Sequence, residues 1–168
     1  MQKISFKILL FFLTILIIHY SPSVLEKIQP DSKGYMNFNE TRQTSYFLIS
    51  QFLNIFHVDI ITFQKLFLSF SITLLVLFIR KKTNTLISLA SYLLIVSNIY
   101  YTSFSKTILA ESIFFSLFNL AIVFFFNNEK KFFLIIFALI CGSLAALKPI
   151  GIPISLFLEY YYYFIYLF

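Results

Sequence analysis

Apolar residues run along this chain in long, nearly unbroken blocks, and polar residues collect in the short stretches between them. Such blocks fit neither an alternating strand nor a soluble helix with one apolar stripe. Set against the roughly 20 residues that a helix needs to cross a hydrocarbon core, six blocks are candidate spans: 4–20, 60–79, 85–101, 108–126, 132–147 and 154–168. The expected fold is all-α, a polytopic transmembrane helix bundle of about six spans forming a single domain over 1–168. The first block is also shaped like a secretory signal, with Lys3 and Lys7 ahead of an apolar stretch, but bulky His19 and Tyr20 and the nearby Pro22 argue for an uncleaved anchor. The last block covers 15 residues, about 22 Å of helix. It therefore predicts a chain that stops in mid-membrane and is completed by a C-terminal half or a partner membrane subunit.

Between the first two spans lies a loop over 21–59, long and polar enough to hold a site. Within it, Tyr46, Phe47, Ile49, Phe52, Leu53 and Phe56 recur mostly at three- and four-residue intervals, with Thr44, Ser50, Gln51 and Asn54 between them. That spacing predicts an amphipathic helix over 43–58, lying on a membrane surface or packed as an ordinary loop helix.

Composition sharpens the class. The chain is 60% hydrophobic and 12% charged with mean hydropathy +0.87, far from the roughly 25% charge of soluble domains. A soluble globular enzyme is excluded on this reading. The net charge of +6 does not indicate nucleic acid, because the cations sit at the ends of apolar blocks, where topology explains them. With the N-terminus inside, Lys3, Lys7, Arg80, Lys81, Lys82, Lys130 and Lys131 face the cytoplasm against one acid, Glu129. The opposite side is nearly balanced. Short flanking loops set orientation, so the reading is a multi-pass protein of the cytoplasmic membrane with both termini inside and the 21–59 loop outside. One cysteine, Cys141, and two distant histidines, His19 and His57, give no disulfide framework and no metal site. Cys141, Gly142, Ala145 and Ala146 form a small-residue pattern suited to close helix packing.

Candidate chemistry gathers on the outer side. Pro30 and Gly34 bracket a turn that holds Asp31 and Tyr35 near each other. A carboxylate there can take a proton from a hydroxyl nucleophile, or it can simply cap a turn. Arg42, Lys106 and Lys148 are cations able to clamp a phosphate, and Lys148 equally fits a lysine snorkelling to the interface. Glu111, near the start of the fourth span, reads either as a helix-dipole partner or as a polar residue facing the bundle interior.

In order along the chain, Pro30-Asp-Ser-Lys-Gly-Tyr35, Glu40-Thr-Arg42, Ile108-Leu-Ala-Glu111-Ser-Ile-Phe114 and Gly142-Ser-Leu-Ala-Ala-Leu-Lys148-Pro149-Ile-Gly151 resemble the N-terminal half of the GT-C superfamily of membrane glycosyltransferases. The bacterial branch similar to protein O-mannosyltransferases and the aminoarabinose transferase is the nearest in pattern. The resemblance implies transfer of a sugar from a polyprenyl-phosphate donor to an acceptor outside the membrane. It implies Asp31 as catalytic base, and Tyr35, Arg42, Lys106, Glu111 and Lys148 as substrate-binding residues. The implied partners are membrane lipid and the lipid-linked sugar; no cofactor, metal or nucleic acid is called for. Two departures stand out: Lys148 occupies a place where the family often has arginine, and Gln43 follows Arg42 where proline is frequent. The other class of function is a non-catalytic polytopic protein that serves as an assembly partner.

Overall fold

The computed structural model describes residues 2–36, 44–126 and 131–167, and every regular element among them is helical. The helices are α1 (Gln2–Tyr20), α2 (Ser32–Met36), α3 (Thr44–Ile55), α4 (Ile60–Lys82), α5 (Thr85–Ser97), α6 (Ile99–Phe104), α7 (Glu111–Phe125), α8 (Lys131–Leu147) and α9 (Gly151–Leu167).

Helix α4 is the organiser. Asp59 caps it, its Oδ2 accepting from the Thr62 amide at 2.9 Å, as an N-cap carboxylate does. Arg80, Lys81 and Lys82 fill its last turn, where positive charge suits the helix dipole. Among the described residues, α4 is the one helix long and apolar enough to cross a membrane; the described part of α1 and helices α5, α7 and α8 are apolar but shorter. Helices α1, α5 and α7 pack on α4, then α8 on α7 and α9 on α8.

Ring and side-chain contacts fix the direction of each helix. Phe6 of α1 lies under Arg80, with the guanidinium carbon 4.6 Å from the ring centroid. Phe78 stacks on Phe126 at 6.2 Å, and Phe124 meets Phe133 at 5.8 Å. The start of α1, the ends of α4 and α7 and the start of α8 therefore share one end of the bundle. Asp59, the start of α7 and the α8–α9 turn share the other.

The interior is rich in hydroxyls. Thr14, Ser69, Ser71, Thr73, Ser112 and Ser116 are buried, and several bond a carbonyl one turn back, as Thr14 does to Leu10 (2.7 Å) and Ser116 to Ser112 (2.7 Å). Asn119 of α7 donates both to Ser71 of α4 and to the Tyr101 hydroxyl. Leu9, Leu13 and Leu16 of α1, Leu89 and Leu93 of α5, and Ile135 and Leu139 of α8 are meanwhile exposed.

Three sequence expectations change. The block 85–101 is not one helix: Asn98 closes α5 and caps α6, its side chain accepting from the Tyr101 amide at 3.1 Å. An Asn side chain that bonds nearby backbone competes with helix continuation. The helix expected over 108–126 begins only at Glu111, after a turn through Thr107. The small-residue pattern also splits, for Cys141 is buried whereas Gly142 faces open space. Close approach occurs instead at Gly151, where a Cβ would run into the Leu144 carbonyl. The expected loop helix is present as α3, but with apolar residues on two faces: Tyr46 and Leu53 are buried, and Leu48, Phe52 and Ile55 are exposed.

Candidate functional site

At the Asp59 end, the connection between α1 and α2 is tied to α6 and to the connection between α6 and α7. The Val24 amide donates to Ser103 Oγ at 3.1 Å, and the Ile108 amide donates to the Lys27 carbonyl at 3.1 Å. Ser32, fully buried, accepts from the Gln29 amide at 2.8 Å and donates to the Ile108 carbonyl at 2.9 Å. These bonds fix the residue before Ser32. Asp31 stands exposed immediately before α2, four residues along the chain from the buried ring of Tyr35.

Tyr35 and Tyr46 pack ring to ring at 5.0 Å and 60°, joining α2 to α3. Tyr46 is 1% exposed. Its hydroxyl accepts from Gln64 Nε2 at 3.0 Å, and the same nitrogen donates to the Leu109 carbonyl at 2.7 Å. Burial raises the Tyr46 pKa above its ordinary value, partly offset by the Gln64 bond, because the phenolate would lose its hydration.

Glu111 opens α7 and Lys148 follows α8, and their side chains form an ion pair. Each side chain is 24% exposed. The second Glu111 oxygen, Oε2, is buried and unpartnered among the described residues, as are Gln64 Oε1 and Ser112 Oγ. Helices α3, α4, α7 and α8 border an open groove of about 580 Å³, lined by Ser45, Phe52, Phe63, Phe67, Ile113 and Leu147, the last two close along the chain to Glu111 and Lys148. Ser45 Oγ donates to the Ala146 carbonyl at 2.7 Å and so holds α3 to α8 across this groove.

Of the residues singled out in the sequence, Glu111 and Lys148 are in direct contact. Asp31 and Tyr35 lie on the segment tied to Ile108. Lys106 is placed differently: its ammonium donates to the carbonyls of His19 and Ser21 at the end of α1. Desolvation there, aided by the Lys65 charge, lowers the Lys106 pKa. Arg42 falls outside the described residues. Gln64 and Tyr46 were not anticipated as site residues. Gln64 did carry a signal, as an amide inside an otherwise apolar block. No group of His, Cys, Asp and Glu able to hold a metal occurs among the described residues. No family, curated protein or solved structure matches the chain.

Proposed function

We propose that the chain is a multi-pass protein of the cytoplasmic membrane, about six spans with both termini inside, and that its Asp59 end is a site for sugar transfer from a polyprenyl phosphate, as in GT-C glycosyltransferases. The membrane reading is supported by the distribution of side chains: hydroxyls and Asn119 pack inside among apolar core residues, while further leucines and phenylalanines such as Leu9, Phe12, Leu89 and Leu139 face outward. Hydrogen-bonding polar residues between helices and apolar residues outside are what lipid as solvent favours.

The observation that carries the transferase reading is the Glu111–Lys148 pair, close along the chain to Ile113 and Leu147 of the apolar groove. A lipid phosphate needs a cation for its head group and an apolar trough for its chain, and about 580 Å³ lies within the roughly 300–1,000 Å³ of ligand clefts. In this reading Lys148 and Arg42 take the phosphate, and Glu111 orients Lys148. Tyr35 supports the site by packing on Tyr46, while Lys106 stays bonded to the end of α1. The acceptor hydroxyl attacks the anomeric carbon, its proton passes to Asp31, and the polyprenyl phosphate leaves with the bonding electrons, which inverts the configuration.

The test is sugar transfer by the full chain in membranes supplied with labelled polyprenyl-phosphate sugars. Asp31→Asn keeps the shape of the side chain and removes the base, so transfer is expected to fall about 10²- to 10⁴-fold. Transfer that survives this change removes Asp31 from the mechanism. No transfer by the unaltered chain, with every donor offered and with the C-terminal half or partner membrane subunit supplied, moves the assignment to a non-catalytic assembly partner.

A further inference from the structure

The Arg80 end of the bundle has a surface that neither the fold nor the proposed site uses. Lys7, Arg80, Lys81 and Lys82 are all exposed there, and among the described residues none of them meets a carboxylate or carbonyl. Beyond the helix-dipole role of the three at the end of α4, these cations have no ionic engagement among the described residues. Thr83 satisfies the end of α4, donating through both its amide and its hydroxyl to the Ile79 carbonyl at 2.8 Å. The described acids Glu26, Asp31, Asp59 and Glu111 belong to the opposite end of the bundle or its connections, and Glu159 lies midway along α9. Two cations of the Asp59 end contrast with this, Lys106 being bonded to the end of α1 and Lys148 to Glu111.

Arg80 is also held in place. Its guanidinium rests over the Phe6 ring with 4.6 Å to the centroid, a cation–π contact that leaves its N–H edges free. Phe6 is itself exposed, and from it Leu9 and Leu13 continue down α1 as an exposed apolar strip. A planar donor fork above such a strip matches a phosphodiester joined to hydrocarbon chains.

We infer that the surface formed by the start of α1 and the end of α4 binds an anionic phospholipid, with the phosphodiester on Arg80, the positive potential of Lys7, Lys81 and Lys82 around it, and acyl chains along Phe6, Leu9 and Leu13. The inference rests on the membrane part of the proposed function and is independent of sugar transfer. Charge complementarity selects the partner: four cations that meet no acid among the described residues attract an anionic leaflet, and a zwitterionic lipid gains little from them.

The experiment is native mass spectrometry of the detergent-solubilised full chain, titrated with phosphatidylglycerol and with phosphatidylcholine of the same acyl chains. Preferential retention of phosphatidylglycerol is expected, weakening with salt. Arg80→Gln should lower that retention roughly five-fold, and Lys81→Gln with Lys82→Gln by a similar factor for each charge. Arg80→Lys should recover part of the loss, since the charge returns without the fork. Helix content by circular dichroism shows that each variant is folded. Equal retention of the two lipids, or phosphatidylglycerol retention indifferent to all three substitutions, overturns the inference. Release of the chain from native membranes by alkaline carbonate overturns the membrane reading instead, so the two failures are distinguishable.

Discussion

Replacing Lys148 with methionine tests the central contact of the site. The substitution keeps an unbranched chain of similar length while leaving the Glu111 carboxylate without its cation. A fully exposed ion pair contributes about 0–1 kcal/mol, and breaking a fully buried one costs about 3–5 kcal/mol. With both side chains 24% exposed and Glu111 Oε2 already lacking a partner, the loss should be intermediate, about 2 kcal/mol. For a chain of this size that lowers Tm by roughly 4–8 °C. The assay is supplied by the protein itself: its single cysteine, Cys141, is buried, so a thiol-reactive dye reports unfolding on heating. Glu111→Gln introduced alongside Lys148→Met should restore part of the lost stability, because the buried charge is gone. If Lys148→Met melts with the unaltered chain and the double variant shows no coupling, the two groups do not interact and Glu111 does not orient Lys148 for a phosphate.

Tyr46→Phe tests the buried hydroxyl at alkaline pH. Because the folded-state pKa of Tyr46 lies above 10.0, the unfolded chain releases this proton first, and stability falls as pH rises above about 10 at up to about 1.4 kcal/mol per pH unit; the variant, measured by the same dye assay, should lack that part of the slope. Gly151→Ala should destabilise by about 2 kcal/mol, since its Cβ meets the Leu144 carbonyl, whereas Gly142→Ala, in open space on α8, should be neutral or stabilising by up to about 1 kcal/mol, and equal melting temperatures for the two would refute the close α8–α9 turn.

Helix existence was legible wherever an apolar block ended in residues with a local mechanism. Asp59 before the run and Arg80 to Lys82 after it mark α4 from sequence alone. Asn98 was hidden because the apolar block continues past it, and hydropathy does not register a side chain that bonds its own backbone. Glu111 and Lys148 could each be assigned to one end of the bundle, but they are 37 residues apart, so their pairing is a product of the α7–α8 packing. Lys106 shows the reverse: a cation chosen for its charge is taken up by carbonyls at the end of α1, which no spacing along the chain foretells.

The ties at the Asp59 end also set a timetable for biosynthesis. Ser32 must wait for Ile108, 76 residues later, and Ser45 for Ala146, 101 residues later. At elongation rates of about 5–20 residues per second, the second interval lasts roughly 5–20 s. During it α3 has no α8 to hold it, and Tyr46 can reach Gln64 well before Leu109 exists to share the same amide. The ribosome thus delivers the helical scaffold first and the bonds that shape the site last, which makes the interval after α4 emerges the period when the apolar residues of α3 stay uncovered longest.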